Sequence, residues 1–182
     1  MFKKRYFIVL LSIFLIGVLA LPSIAASAPK EIEWTALIPD DYNPDSLLAE
    51  YQEKYNIDEL PDDSPILNEL MRKIVEMRNF APTNSELNGQ LIKLPGFVVP
   101  LETDGQKSSE FLLVPYYGAC IHVPPPPANQ TVHVTTKDKE GANIRKLFDV
   151  VWVTGLIKTE TLSTDLADAG YTITATKVEP YE

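Results

Sequence analysis

The chain of 182 residues has one cysteine, two histidines and eight glycines. Beyond residue 21 it also lacks any apolar run long enough to cross a membrane as a helix. Basic residues are scarce, with 16 Lys and Arg against 25 Asp and Glu. That imbalance argues against nucleic acid and anionic lipid as partners. No internal repeat, calcium-loop spacing or complete catalytic constellation is visible. Asp40-Asp41 and Asp62-Asp63 read as solvated turns, because neither follows the alternating spacing of a calcium loop.

The N-terminus carries a pattern of its own. Lys3, Lys4 and Arg5 precede an apolar, uncharged stretch from Tyr6 to Leu21. Pro22 breaks it, and small residues follow from Ser23 to Ala28. This is the three-part layout of a secretory signal sequence spanning residues 1–26, with cleavage expected near Ala25. No cysteine lies nearby, so a lipoprotein anchor is not expected, and membrane contact would require an uncleaved signal. The expected location is outside the cytoplasm. Removing the three basic residues of the signal leaves 13 Lys and Arg against 25 Asp and Glu, a net charge of −12. The remainder has the length of a single domain.

Residues 27–63 read as an acidic, proline-punctuated arm, pinned by Trp34, Leu37 and Ile38. A short helix is expected over Pro44 to Tyr55, with Asn43 as its N-cap. A second helix is expected from Ser64 to Arg78, since Ser64 can cap it and Pro65 suits its first position. Ile66, Leu67, Leu70, Ile74 and Met77 recur at helical spacing, so this helix should pack against the barrel.

From residue 90 the periodicity becomes that of strands. They are expected over Gln90–Glu102, Phe111–Tyr116, Gln130–Thr136, Leu147–Thr159 and Tyr171–Val178. Pro95, Gly96, Pro100 and Gly155 suggest bends or bulges inside them. A short helix is expected from Ser163 to Ala169, capped by Gly170. The sum predicts a mainly β domain: a small, OB-like Greek-key barrel over residues 64–182 with N-terminal helical decoration.

One segment stands apart, running from Val114 to Gln130. Pro124, Pro125, Pro126 and Pro127 fix φ near −65° and set an extended, stiff backbone. Gly118 permits a tight turn. Cys120 and His122 lie two apart, so an extended backbone would aim both at one face. A thiolate and an imidazole suit zinc or copper, with Glu102 as a candidate third ligand. The alternatives are a buried Cys120, a disulfide to another chain, or a thiol nucleophile with His122 as base. The last lacks any recognisable signature. His133 is expected mid-strand and half exposed. Tyr117, the four prolines, Asn129 and Gln130 are the candidate partner-binding residues.

These residues also carry a resemblance. The strand Gly96-Phe-Val-Val-Pro-Leu-Glu102 and the segment from Phe111 through Gly118-Ala-Cys-Ile-His-Val-Pro-Pro-Pro-Pro127 to Gln130 resemble a bacterial periplasmic family of unknown function. Val151–Gly155 and Val178–Tyr181 match it too, so the likeness extends from about Trp34 onwards. The resemblance implies an OB-like barrel and genes found near MacB-like ABC transporters and linked to zinc-limited growth. It implies no activity and no catalytic residue.

The function expected from these signals is an exported, non-enzymatic accessory protein of an envelope transport system, acting through Cys120–Gln130, with zinc as a candidate cofactor. Two other readings stand beside it: an interaction module with a buried Cys120 and no metal, and an oligosaccharide-binding barrel.

Overall fold

The computed structural model describes residues 28–43, 45–104, 107–137, 142–144 and 146–181. The expected signal sequence, residues 1–26, lies outside the described residues.

The arm enters as strand β1 (Lys30–Glu31) and a short 3-10 turn, Trp34–Leu37. Helix α1 (Ser46–Tyr55) follows. Asn43 marks its start, but not as the capping residue. Asp45 holds the cap position, and Asn43 Oδ1 accepts from its backbone N–H at 3.0 Å. Asn56 closes the helix in the left-handed region at φ 48°. Helix α2 (Pro65–Asn79) starts as its sequence predicts, with Ser64 Oγ accepting from Ile66 N at 3.3 Å.

The barrel is built from five strands, β2 (Leu91–Asp104), β3 (Lys107–Val114), β4 (Val132–Thr136), β6 (Val150–Lys158) and β9 (Tyr171–Pro180). Strand β5 (Ala142–Asn143) extends one edge. Around the barrel the order is β2-β3-β4-β9-β6 and back to β2. All pairs are antiparallel except β4 with β9. The fold is therefore the expected mainly β one, a small closed barrel with two short helices. Closure gives each barrel strand a neighbour on both sides, so the backbone ladder is satisfied from within.

Alternation along the strands fills the interior. Ile92, Leu94 and Val98 of β2 meet Phe111 and Leu113 of β3, Val132 and Val134 of β4, Val153 and Ile157 of β6, and Tyr171 and Ile173 of β9. Two of the four irregular positions act as expected, whereas Pro95 and Gly96 pair with Trp152 and Val151 in unbroken register. β2 shifts register between Pro100 and Glu102, and the β6–β9 pairing shifts between Thr154 and Gly155. A Cβ on Gly155 would stand 2.4 Å from the Thr174 carbonyl, so only glycine fits there.

A second, smaller core lies outside the barrel. Val99, Leu112 and Val114 point outward from β2 and β3, yet all three are fully buried. They are covered by Ala119, Phe148, Ala167 and Ala169, with Cys120 packed alongside. Part of this cover corrects an expectation. Residues 163–169 are not a helix. They form a hairpin of β7 (Leu162–Ser163) and β8 (Asp168–Ala169). Thr164 Oγ1 accepts from the N–H of Leu166 and of Ala167, which turns the chain back before a helix can nucleate. Gly170 is therefore not a helix cap. The Ala128 carbonyl accepts its N–H at 2.7 Å, and a Cβ would stand 2.8 Å from that oxygen.

Pairing of β1 with β2 and buried side-chain contacts tie the arm to the barrel. Trp34 Nε1 donates to the Pro95 carbonyl at 2.7 Å, and Gly96 leaves room for the indole. Tyr171, fully buried, donates from its hydroxyl to the Leu37 carbonyl at 2.6 Å and accepts from Asn84 N at 2.5 Å. Helix α2 departs from expectation in its packing. Its side chains meet α1, where Tyr51 donates to Glu69 and Lys73 lies over the Tyr51 ring. Met71 and Val75 remain exposed.

Candidate functional site

β3 ends at Val114, and residues 115–131 then leave the barrel before β4 begins. This connection carries every candidate residue except Glu102. Gly118 sits at φ 87° and Cys120 at φ 66°, both left-handed. The Gly118 carbonyl accepts from His122 N at 2.8 Å and from Val123 N at 3.1 Å. The backbone is thus folded into a tight turn rather than extended. The same-face argument for Cys120 and His122 fails with it, since it needed alternation.

Each side chain of the pair has a separate environment. Cys120 is half-buried and packs into the outer core. Burial without a charged partner pushes its thiol from 9.0 up to about 11. At neutral pH the sulfur is protonated, which makes it a poor nucleophile. His122 is exposed, and its ring lies on Phe148 with centroids 5.8 Å apart. Glu102 is not beside them. It pairs with Glu110 toward the closed end of the β2–β3 hairpin, whereas the turn grows from the other end, where Val114 pairs with Phe97. Among the described residues no three His, Cys, Asp or Glu side chains form a group that could hold a metal.

What the turn does assemble is an aromatic cluster. The Tyr117 ring stands 4.7 Å from that of Phe148 and meets Phe97 edge-on at 6.2 Å. Tyr117 is nevertheless 66% exposed, and Tyr116, Ile121 and Val123 are exposed around it. Phe148 is itself left-handed at φ 62°. Two of the three non-glycine residues with positive φ among the described residues, Cys120 and Phe148, therefore lie in this one cluster. Backbone strain of this sort persists only where surrounding packing enforces it.

The proline run divides. Pro124 and Pro125 are exposed, while Pro126 is buried. Tyr116 Oη donates to the Pro124 carbonyl at 3.4 Å, and Arg78 of α2 donates to that of Pro125. Asn129 and Gln130 are expected at a partner surface, but their amides are engaged within the chain. Asn129 is buried and donates to the Pro82 carbonyl at 2.8 Å, and Gln130 donates to that of Trp34 at 3.0 Å. Their amides fasten the base of the connection to the segment after α2 and to the arm, respectively. Buried amides need such partners, since an unpaired one costs about 1–3 kcal/mol.

His133 is also unlike its expected half-exposed state. It is 4% exposed, with Nε2 2.6 Å from Glu110 Oε1. β4 lies between β3 and β9, with Leu112 and Thr172 opposite His133, so the face that reads as polar is covered. No local signal marked this pair. Only the β3–β4 register brings Glu110 and His133 together.

The fold and the strapped loop define a class: small β-barrel proteins with a helical arm and an apolar connection after the second barrel strand. Residues 34–180 match the family described as "Protein of unknown function (DUF3299)", and the chain belongs to it. A crystal structure of a DUF3299 family protein from Pseudomonas aeruginosa PAO1 is similar, at 41% identity and a TM-score of 0.63. The match covers 86% of this chain and 98% of that one. No curated protein matches.

Proposed function

We propose that this protein is an exported, non-enzymatic accessory module of the cell envelope that holds a protein partner on its Tyr116–Pro127 loop. One observation carries the reading. Tyr116, Tyr117, Ile121 and Val123 expose apolar surface on a backbone already fixed by prolines and a left-handed turn. Such a loop has little freedom left to lose on binding, and exposed tyrosine is a typical anchor at protein interfaces. Export rests on the signal pattern of residues 1–26. The envelope transport setting rests on the family resemblance. In this reading Cys120 is a packing residue beneath the loop, and zinc at Cys120 and His122 is the less favoured version because, among the described residues, no third ligand stands beside them. Oligosaccharide binding is not favoured by any particular contact.

The test uses the full chain in its native cells. A photo-crosslinking residue replaces Val123 or, as control, the exposed Lys158. A discrete adduct is expected from position 123 alone, and Tyr117→Ser should abolish it. Identical adducts from both positions, or an adduct indifferent to Tyr117→Ser, would sink the reading. Stoichiometric zinc in the purified protein that disappears in Cys120→Ser would restore the metal version.

A further inference from the structure

We propose that the groove between α1, α2 and the proline run receives an amphipathic segment of a partner that carries lysine or arginine beside its apolar anchors. The proposal rests on the docking reading above, because the proline run is one wall of the groove, and it names the chemistry of the occupant.

The groove consists of three adjoining hollows. One of about 150 Å³ lies between Val75 of α2 and Pro124–Pro126. The next, about 330 Å³, shares Arg78 with it and is lined by Leu48, Ile74 and Met77. The third, about 480 Å³, shares Tyr42 and Met77 with the second and ends at Phe80. Val75 is 53% exposed and Phe80 is 80% exposed. Met71, one turn before Val75, extends the same apolar face. A large exposed patch of this kind on an otherwise acidic surface marks a binding site.

Charge selects among occupants. Between residues 28 and 63, 11 Asp and Glu stand against only Lys30 and Lys54, a net charge of −9. That is most of the −12 left after the signal, and it lies on the arm that forms one side of the groove. Asp45 and Glu76 line the hollows themselves. Three cations stand beside them, and Arg72 already pairs with Glu76 at 3.9 Å, so the net negative field comes from the arm. Lys73 pairs with Glu69 at 3.2 Å and lies over Tyr51, and Arg78 is held by Pro125. A second copy of this acidic chain would be repelled, as would an anionic membrane. A cationic segment is drawn in by the field and retained by the apolar floor.

The probes are two synthetic peptides of about 18 residues, long enough to span the groove as a helix. Both carry leucines at helical spacing. One has lysines on its flanks and the other has glutamates in the same places. Fluorescence anisotropy with the purified mature chain reads binding. The lysine peptide should bind at least about tenfold more tightly than the glutamate peptide, and the gap should shrink as salt rises. Val75→Ser and Phe80→Ser should each weaken binding about three- to tenfold while leaving the melting temperature unchanged, since both side chains are exposed. Equal affinity for the two peptides, binding to neither, or indifference to both substitutions overturns the proposal. So does a concentration-dependent dimer that Phe80→Ser breaks, or co-sedimentation with phosphatidylglycerol vesicles. Tyr117→Ser separates the two readings. If the loop reading fails, the crosslink from position 123 is absent while peptide binding persists. If this inference fails, the crosslink remains and peptide selectivity is lost.

Discussion

The thiol of Cys120 can be tested by its rate of alkylation with iodoacetamide. Burial lifts it from 9.0 to about 11. At pH 8 the folded protein would then hold ~0.1% thiolate, against ~9% for a thiol at 9.0. That is about a 90-fold deficit. A more basic thiolate is intrinsically more nucleophilic, and a Brønsted slope of about 0.4–0.5 over two units returns about eightfold. The net expectation is a folded-state rate about tenfold below that of the urea-unfolded chain, before any steric shielding. The pH profile is a second readout. Between pH 9 and 10 the unfolded chain should gain less than about twofold, while the folded protein should gain about tenfold. Zinc at neutral pH should leave both the rate and the melting temperature unchanged. Folded protein that reacts as fast as unfolded, or shares its small gain between pH 9 and 10, would refute the buried-thiol account and reopen the nucleophile and metal readings.

Tyr171→Phe strands the Leu37 carbonyl and the Asn84 N–H inside the protein and should cost about 2–4 kcal/mol, or roughly 5–15 °C in melting temperature; a loss under about 1 kcal/mol in urea titrations would deny the hydroxyl its tethering role. Gly155→Ala should destabilise by about 1–3 kcal/mol or more, because the clash is with the Thr174 backbone of the neighbouring strand; a melting temperature equal to that of the parent would contradict the bulge geometry. Stability should be insensitive to the Cys120 and Tyr171 protons below pH 9 and should fall above it. Both groups are raised by folding, Cys120 to about 11 and Tyr171 to about 12, so the unfolded chain releases these protons first and is favoured as pH climbs. In urea midpoints measured from pH 8 to 11, Cys120→Ala should remove the onset between 9 and 10, and Tyr171→Phe the further loss above 10; midpoints flat across that range would contradict both burials.

The parts of the chain whose structure follows from their own residues were legible. Ser64 and Pro65 start α2 by local capping chemistry, and the alternation around Ile92, Val132 and Ile173 makes strands wherever it occurs. Pro100 and Gly155 bend those strands because of what their backbones cannot do or uniquely can. The same locality misled at 163–169, where helical composition met the Thr164 turn. It also misled at Cys120 and His122, where the Gly118 carbonyl gathers the chain into a turn that spacing alone cannot reveal.

Position in the tertiary structure decided the rest. An alternating strand says that its two faces differ, but not which face will be covered. The β4–β9 pairing and the β3 register bury His133 against Glu110, although Thr131 and Thr135 on either side read as solvent-facing. The outward face of β2 and β3 is dry because the 115–123 turn and the β7–β8 hairpin lie over it. Asn129 and Gln130 serve as internal fasteners because Pro82 and Trp34, distant in sequence, present carbonyls to them. The sequence by itself determined the barrel's strands, the start of α2 and the stiffness of the proline run. Only the folded chain decided that Cys120 lies under the loop while Tyr117 and Val123 remain outside, because burial depends on what covers a surface and the covering pieces come from elsewhere in the chain.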